Sequence, residues 1–515
     1  MYRIHEIKCT LKEDMSMIPE KIIRRMGKDG KDFIISDWKI RKESIDARDK
    51  GDILRVYTVD FDGEGPIKPS TLKGIEEIVE KPMPTLTMGT KTLRNPPVVI
   101  GFGPCGLFAA LTLAEMGYEP LVYERGAKME QRIKDVNEFW ENGVLKEESN
   151  VPFGEGGAGT FSDGKLTSGI KDLRIQKILE EFVQAGGGDD LLYKQKPHIG
   201  TDVLRQVVVG LREKIIALGG TIHFDSKLTD IFMDSSGICG LEINGLERVD
   251  TDVIILAMGH SARDTQKMLL EKGLQMEQKP FSMGLRIEHP QDLINKGQYG
   301  LSAMDILGPA EYKLSHKCQS GRGVYTFCMC PGGHVICASS QKEGIVTNGM
   351  SHRDRSSGKA NSGILVDLRP EDYPSDSPLA GVELQIEVEE KAYKLAGNTY
   401  KLPKCTHKEL RDKKGIGGQI ADCLPSFVVE SILEAMPYFG KKIRGFDQDN
   451  SVFYGVETRS SSPVRLLRDL AYESNIKGIY PGGEGAGYAG GIMSASIDGI
   501  RIGEEIIKTY QRRIV

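Results

Sequence analysis

The sequence lacks the features that identify several classes of protein. No two of its nine cysteines stand in a C-x-x-C arrangement, so it offers neither the usual redox dithiol motif nor a disulfide framework. No stretch approaches the ~18 uninterrupted apolar residues of a membrane-spanning helix, and the N-terminus has no long apolar core of an export signal. A formal net charge of -5 on 515 residues is small, so charge alone recruits neither nucleic acid nor a membrane. We therefore expect a cytoplasmic protein with reduced thiols.

The composition is that of an ordinary globular protein, with 39% hydrophobic and 27% charged residues. The chain is too long for one hydrophobic core, because cores stop growing near ~250–300 residues. Glycine is abundant, with 60 residues, and gathers in a few short runs, as expected where backbone must approach something closely. These features predict a protein of several domains with a glycine-lined binding site.

The first hundred residues predict a small module and a connection. Residues 1–80 are predicted to form an N-terminal α+β module of βαββ type, with a strand near 2–11, a helix near 19–26 and two further extended runs. Residues 81–97 contain four prolines, which remove hydrogen-bond donors and disfavour helix. We expect them to be a linker or a strap over a neighbouring surface.

The remainder predicts an α/β fold with a Rossmann-like nucleotide-binding domain built from non-contiguous segments. Residues 98–279 begin with a buried strand, a glycine turn, an Ala/Leu-rich helix and a second strand, which is half of a Rossmann unit. Residues 280–465 alternate short strands with polar loops and are interpreted as an inserted α+β substrate domain. Residues 466–515 end in strand, glycine loop and long helix, so the chain returns to its first domain.

The first glycine turn has the G-x-G-x-x-G pattern in the required context, directly after the strand Val98–Ile100 and at the start of a helix. Gly101 permits the tight turn, Gly103 lets backbone reach a pyrophosphate, and Gly106 allows close packing of helix and strand. The residues between them are Phe102, Pro104 and Cys105. This turn predicts the site of a dinucleotide.

Glu124 ends the second strand of this unit. A carboxylate at that place accepts hydrogen bonds from both hydroxyls of an adenosine ribose. It also disfavours a 2′-phosphate, so NADP is a poor candidate for this site. The two features together leave NAD and FAD open.

Three further strings resemble two-dinucleotide-fold flavoproteins: ERG at 124–126, ILAMGHSARD at 255–264 and GGEGAGYAGG at 482–491. VPFGEGGAGTFSDGKLTSGI and FCMCPGG resemble, more narrowly, a bacterial family of FAD-dependent dehydrogenases, which belong to the NAD(P)/FAD-dependent oxidoreductases and whose substrates are generally unassigned. The resemblance covers nearly the whole chain. It implies a bound FAD whose ADP half lies on the first glycine turn.

The resemblance also implies roles for single residues. Ala257, Met258 and Gly259 correspond to the turn that closes the FAD domain, with Met258 in place of the usual threonine. Other expected contacts with the cofactor, from the adenine to the flavin, are Arg125, Arg132 at the pyrophosphate, Lys227, Leu228, Gly156, Gly157, Ser162, Asp163 and Lys165. Lys165 is expected near the N1–O2 edge of the flavin, where it would stabilise the reduced anion.

At the C-terminal end, Gly483 and Glu484 take the place of the Gly-Asp pair with which related flavoproteins hold the ribityl chain. Gly490 and Gly491 then precede a helix that begins near Ile492, whose positive end favours reduced flavin. There is no second Rossmann unit for a nicotinamide. NAD(P)H is therefore expected only as a transient electron donor, and the alternatives are an electron-carrier protein or the substrate itself.

The catalytic candidates come from the string GVETRSSSPVR: Glu457, Arg459 and Arg465, together with Lys165. Arginines at this place suit an anionic small-molecule substrate, although an interdomain salt-bridge cluster is the stronger explanation. Four cysteines between 318 and 337 do not have the spacing of a metal site, so we predict no metal and interpret them as packing residues.

The sequence predicts an FAD-dependent dehydrogenase that moves hydride to or from flavin N5. Two alternatives remain open at this stage. One is a flavin-dependent RNA-modifying enzyme whose N-terminal module binds RNA, although the interleaved charges of both signs in residues 21–50 argue against nucleic-acid binding. The other is a non-catalytic redox sensor.

Overall fold

A computed structural model describes residues 1–65, 74–79, 85–300 and 303–513 of the protein. Within these ranges the strands are β1 (Tyr2–Thr10), β2 (Ile34–Asp46), β3 (Leu54–Glu64), β4 (Ile75–Glu77), β5 (Lys91–Thr92), β6 (Val98–Ile100), β7 (Leu121–Tyr123), β8 (Thr221–His223), β9 (Leu228–Asp234), β10 (Gly237–Ile243), β11 (Glu247–Asp250), β12 (Ile254–Leu256), β13 (Met276–Gln278), β14 (Phe281–Pro290), β15 (Ser315–Lys317), β16 (Gly323–Pro331), β17 (His334–Cys337), β18 (Thr347–Met350), β19 (Lys359–Leu368), β20 (Lys404–Thr406), β21 (Val452–Glu457), β22 (Val464–Leu466), β23 (Ile479–Pro481) and β24 (Tyr510–Gln511).

The helices of the same ranges are α1 (Ile18–Met26), α2 (Pro104–Glu115), α3 (Met129–Asn142), α4 (Arg174–Phe182), α5 (Thr201–Ala217), α6 (Arg263–Glu271), α7 (Gln291–Tyr299), α8 (Met304–Leu307), α9 (Ala380–Leu395), α10 (His407–Asp412), α11 (Gly415–Cys423), α12 (Ser426–Lys442) and α13 (Ile492–Thr509). No helix among the described residues is both long enough and apolar enough to cross a membrane.

A five-stranded parallel sheet in the order β23-β12-β6-β7-β8 carries the Rossmann-like part of the fold. The strands β6 and β12 are fully buried, as their unbroken apolar runs require in a sheet covered on both faces. The predicted α/β class and the assembly of this sheet from distant segments are confirmed, since β23 joins it after more than two hundred residues of other structure.

Helix α2 connects β6 to β7 and is buried on every side from Cys105 to Ala114. A helix that is apolar all round needs partners all round, and here they include α5 and α13. A side chain at Gly499 of α13 would lie only 2.1 Å from the carbonyl oxygen of Cys105. The absence of a side chain there lets the two helices touch through their backbones.

The segment between β12 and β23 builds a six-stranded sheet in the order β15-β16-β19-β14-β21-β20, whose strand pairs are antiparallel. Strands β14 and β19 are buried along almost their whole length. Helices α7 and α12 pack against both, and the hairpin β17–β18 also contacts the sheet. Burial on two faces explains why these strands do not show a clean alternation of polar and apolar residues.

The N-terminal module is a four-stranded sheet in the order β2-β3-β1-β4. Helix α1 packs on one face through Ile18 and Ile22, which meet Ile4 and Ile7 of β1. The structure therefore adds the short strand β4 to the predicted βαββ arrangement. Backbone hydrogen bonds of Glu43 with Tyr193 and Gln195, at 2.7 and 2.8 Å, attach the module to the rest of the chain.

Residues 81–84 of the predicted linker lie outside the described residues. From residue 85 onward the connection runs along the C-terminal helix, because the Gly89 N–H donates to the carbonyl of Ile507 and β5 pairs with β24. The Arg94 guanidinium then pairs with Asp252 at 2.7 Å. This part of the chain is a strap with fixed contacts.

Candidate functional site

A cavity of about 470 Å³ opens between the parallel sheet and the six-stranded sheet, a volume typical of ligand sites. It lies at the carboxyl ends of β6 and β12, where open α/β sheets bind ligands. Most residues predicted from the sequence line this cavity, namely Gly101, Gly103, Pro104, Cys105, Glu124, Arg125, Gly157, Ser162, Asp163, Lys165, Lys227, Leu228, Ala257, Met258, Gly259, Glu457, Arg459, Gly483, Glu484, Gly490, Gly491 and Ile492.

Two helix N-termini border the cavity. Pro104 and Cys105 begin α2, Ile492 begins α13, and all three residues line the cavity. The first backbone N–H groups of a helix have no partner within it, and the helix dipole makes that end positive. A side chain at Gly490 or Gly491 would meet no atom within 4 Å, which leaves open space at the start of α13. The arrangement suits a ligand with an anionic group, such as a diphosphate.

The loop before α13 is held by an ion pair. Asp498 of α13 accepts two hydrogen bonds from Arg468, at 2.7 and 2.9 Å, and one from the backbone N–H of Gly483 at 2.7 Å. Both charged side chains are more than nine-tenths buried. No pattern in the sequence predicts this pair, which places the glycine loop beside α2.

Glu124 accepts hydrogen bonds from the backbone N–H groups of Phe102, Gly126 and Gly154, at 2.8, 2.9 and 3.0 Å. The side chain ties the glycine turn to the loop that follows α3. A carboxylate has about four acceptor positions, so three backbone donors leave capacity for one more. Glu124 lines the cavity and can accept one further hydrogen bond there. The sequence predicted instead that it accepts hydrogen bonds from both ribose hydroxyls.

Arg132 lies elsewhere than predicted. Its guanidinium is fully buried and donates to the backbone carbonyls of Asn150, Val151, Glu155 and Gly157, at 2.5 to 3.0 Å. Burial lowers its pKa to about 9. With its donors used by the loop, Arg132 shapes the cavity wall and does not line the cavity.

Two predicted glycines also stand behind the surface of the cavity. A side chain on Gly106 would lie 1.9 Å from the carbonyl oxygen of Gly101, so α2 packs directly on the turn. Gly156 has a φ of 82°, and a side chain there would come within 2.4 Å of the Thr160 hydroxyl. Both act on the cavity through backbone packing.

The cations near the start of β9 are paired with acids. Arg125 lies 2.6 Å from Glu148 and 2.9 Å from Asp264, and Lys227 lies 2.6 Å from Asp264. Burial opposes ionisation of Asp264, but Arg125 and Lys227 outweigh it and hold its pKa well below the ordinary value. This edge of the cavity is therefore close to neutral.

Arg459 lines the cavity but is bound to protein groups. It lies 2.7 Å from a carboxylate oxygen of Glu389 and 2.6 Å from the Ser340 hydroxyl, and Arg263 binds the same carboxylate at 2.8 Å. Burial raises the pKa of Glu389, yet the two arginines more than compensate and hold it well below its ordinary value. The salt-bridge alternative describes Arg459 correctly.

Arg465 does not line the cavity. It is 39% exposed, lies 3.3 Å from Glu277 and stacks over Tyr488. The position follows from β22, which pairs with β13 and not with the six-stranded sheet. The expected contact of Arg465 with a substrate is thus replaced by a surface ion pair.

Lys165 and Asp163 connect the glycine-rich loop to the six-stranded sheet. The Lys165 ammonium donates to the carbonyl of Met329. Asp163 accepts from the Ser351 hydroxyl and from Arg355, the latter at 2.9 Å. Both line the cavity, and Lys165 lies where one wall meets the other.

Glu484 and His260 form a polar pair in the cavity, with 3.8 Å between a carboxylate oxygen and Nε2. Burial raises the pKa of Glu484 to about 7, against the effects of the Gly491 N–H and Lys279. Burial, assisted by Arg459 and Arg263, lowers the pKa of His260 to about 3. Near neutral pH the histidine is therefore uncharged, while the carboxyl can exchange a proton.

The cavity wall contributed by the six-stranded sheet and the β17–β18 hairpin was not predicted in most positions. Tyr325, Phe327 and Cys328 of β16 and Asn348 of β18 line the cavity. The alternation of Tyr325 and Phe327 was visible in the sequence, since residues two apart on a strand share a face. Asn348 carried no such signal.

The four cysteines between 318 and 337 do not converge on one point. Cys337 is hydrogen-bonded to the Ser339 hydroxyl at 3.3 Å. Cys318 lies beside His316 and Glu434, with their ligand atoms within 4.8 Å of one another. Cys328 alone among the four lines the cavity. The interpretation of all four as packing residues therefore does not hold for Cys328.

The chain is similar to known proteins over its domains and over its full length. A model of the C-terminal domain of FAD-dependent proteins matches residues 280–460, and a domain of unknown function matches residues 1–62. A protein of Clostridium beijerinckii, itself uncharacterized, is 42% identical over 531 aligned positions that cover 99% of both chains. The chain belongs to this family of FAD-dependent proteins. FAD is its cofactor.

Two solved structures show a remote likeness to this FAD-dependent protein. Glycine oxidase from Geobacillus kaustophilus has a TM-score of 0.35 at 10% identity, with 82% of this chain and 97% of the oxidase covered. A glycerol-3-phosphate dehydrogenase from Bacillus halodurans, solved with FAD, has a TM-score of 0.34 at 14% identity, with 80% and 65% covered.

The cavity of this FAD-dependent protein fits its cofactor in chemistry. The N-termini of α2 and α13 border the cavity and suit an anionic group, Glu124 retains an acceptor position for a hydroxyl, and Gly490 and Gly491 leave room beside the second helix. Bound FAD supplies two-electron redox chemistry. The protein supplies the anion site, the shape and a proton-exchanging carboxyl at Glu484.

Proposed function

We propose that the protein is a dehydrogenase that transfers hydride between a small organic substrate and N5 of the flavin. The observation that carries this proposal is that one cavity is bordered by the N-termini of both α2 and α13 and closed by β16, β18 and β21 of the inserted segment. Such a cavity binds a dinucleotide along one wall and leaves the other wall for a substrate. The inserted segment is accordingly proposed to be the substrate domain.

The substrate wall is mixed in character. Tyr325 and Phe327 are aromatic, with ring centroids 6.4 Å apart, and Asn348 offers an amide that can donate and accept hydrogen bonds. The expectation of an anionic substrate has lost its main support, because Arg459 and Arg465 both have carboxylate partners. Glu484, with a pKa near 7, is the proposed proton donor or acceptor.

The RNA-modifying alternative gains no support from the module. Arg3 and Arg41 share Asp60, and Lys21 lies 2.8 Å from Glu13. Paired cations of this kind make an ordinary solvated surface and not a phosphate-binding stripe. We propose instead that the module has a structural role. We further propose that NAD(P)H or an electron-carrier protein donates electrons to the flavin.

Anaerobic stopped-flow reduction of the purified protein tests the proposal. We expect a yellow protein with stoichiometric FAD, bleached at 450 nm by NADH, by NADPH or by members of a metabolite panel. The test variant is Tyr325→Phe, which keeps the ring but removes the hydroxyl. Its flavin content should be unchanged, while reduction of its flavin by the substrate should be slower. A protein that binds FAD but is reduced by no donor contradicts the proposal and favours the redox sensor.

A further inference from the structure

Strand β16 bulges where it passes the cavity. Its register with β19 shifts between Phe327 and Cys330, and Cys328 has a φ of 44°, in the left-handed region. An extra residue in a strand turns side chains away from their regular alternation. As a result Cys328 lines the cavity, while Cys330 is fully buried directly behind it. The Cys330 sulfur lies 3.3 Å from the Cys328 carbonyl oxygen.

The two thiols are in side-chain hydrogen-bond contact with each other. Residues two apart on a regular strand have Cα atoms ~6.6 Å apart, and disulfides span ~4.4–6.8 Å between Cα atoms. A side chain at Gly349 would lie 3.0 Å from the Cys330 sulfur, so this glycine makes the room that the buried thiol occupies.

Cations surround the pair. Arg286 is fully buried and donates to the Cys328 carbonyl at 3.3 Å, and Lys165 donates to the carbonyl of Met329 between the two cysteines. Hydrogen bonding by Cys330 lowers the pKa of Cys328 to about 7, with Arg286 and Lys165 assisting and burial opposing. The pKa of Cys330 is raised well above its ordinary value by the same contact and by burial.

The other cysteines have a different environment. All nine lie in the described part of the chain, and burial raises the pKa of Cys105, Cys318, Cys337, Cys405 and Cys423. A thiolate is the reactive form of cysteine. Cys105 also lines the cavity, but its pKa is raised, whereas that of Cys328 is lowered.

We propose that Cys328 and Cys330 form a redox-active thiol pair that exchanges two electrons and two protons with the bound flavin. Oxidation breaks both S–H bonds and forms one Sγ–Sγ bond, and FAD takes up both electrons and both protons to become FADH₂. The reverse reaction reduces the disulfide. The inference rests on the proposed function, because bound FAD is the electron acceptor.

The test is an anaerobic reductive titration of the FAD-loaded protein with dithionite after oxidation by ferricyanide. We expect the wild-type protein to take up about four electrons per flavin and the Cys328→Ser and Cys330→Ser variants about two. Cys239→Ser is the matched control, since Cys239 lies on β10 outside the cavity, and it should still take up about four. Uptake of two electrons by the wild type overturns the proposal.

A thiol count in denaturant gives a second readout that needs no activity. The oxidised wild-type protein should show two thiols fewer than the reduced protein, and a peptide holding Cys328 and Cys330 should be 2 Da lighter, on the order expected for loss of two hydrogens. An oxidised protein that keeps every thiol overturns the pair even when FAD is bound. A protein that cannot bind FAD overturns the proposed function instead.

Discussion

Arg286 of β14 and Glu457 of β21 form a two-point ion pair across neighbouring strands, with hydrogen bonds of 2.6 and 2.8 Å. Neither side chain is more than 4% exposed. A side chain at Gly363 would lie 2.8 Å from the carboxylate of Glu457, so the pair also depends on this glycine. This ion pair stabilises the part of the cavity wall that contains Cys328.

Loss of one charge from this pair should destabilise the fold strongly. Glu457→Gln leaves Arg286 buried without its counter-ion, which costs about 3–5 kcal/mol. Chemical denaturation measures the loss. Glu277→Gln is the control, because it breaks the exposed pair with Arg465 and should cost less than about 1 kcal/mol. Equal losses in the two variants would show that burial of the first pair is energetically unimportant.

Gly103→Val should abolish tight binding of FAD. Gly103 lines the cavity, and its nearest neighbour on the side-chain direction is Gly157 at 3.7 Å, so a valine occupies space meant for the ligand. We expect affinity to fall at least tenfold, or about 1.4 kcal/mol, measured by flavin absorbance per protein and by reconstitution. Gly169→Val, at an exposed position with no atom within 4 Å, should keep full occupancy.

Glu124→Ala should weaken FAD binding several-fold and also destabilise the apoprotein. It leaves three backbone N–H groups without their acceptor, each worth about 1–3 kcal/mol when buried. Glu124→Gln retains one oxygen and should fall between alanine and wild type in thermal unfolding. Equal thermal unfolding temperatures for both variants and the wild type would contradict this expected order.

The stability of the apoprotein should depend on pH through Glu484. Its folded pKa of about 7 lies above the ordinary value of 4.5, so protonation favours the folded state. The stabilisation is fully present below about pH 4.5 and is lost as the pH rises through 7. With the side chain still 29% exposed toward the cavity, we expect a change on the order of 1–2 kcal/mol.

Glu484→Gln provides the comparison for this pH profile. The amide does not titrate, so the variant should lack the change between pH 4.5 and 8 while keeping the side-chain volume. Urea denaturation at several pH values measures both proteins. Parallel profiles for the two proteins would assign the pH dependence to another group.

Arg459→Ala should reduce the stability of the fold more than it reduces catalysis. The substitution removes one of the two arginines that hold the buried carboxylate of Glu389, so we expect a loss of about 3 kcal/mol or more. Flavin absorbance should be retained. Arg465→Ala, at the surface, should cost less than about 1 kcal/mol. Impaired substrate reduction without any loss of stability would restore Arg459 to the active site.

The glycine turn illustrates what a sequence predicts well. Strand β6, the turn at Gly101 and the start of α2 follow one another within a few residues, so their conformations depend on local contacts. The same holds for Gly491 and the start of α13. The close contact between α2 and α13 depends on Gly499, which is visible in the sequence, but its contact partner Cys105 is not.

The sequence by itself determined the residue types that a dinucleotide needs and the local turns that present them. Only the tertiary structure decided which charged groups are available, because the partners of Arg132, Arg459 and Arg286 come from distant segments. Whether a charged side chain is paired depends on which other segments pack against it in the folded protein. The same reasoning applies to Cys328, which faces the cavity only because β16 bulges against β19.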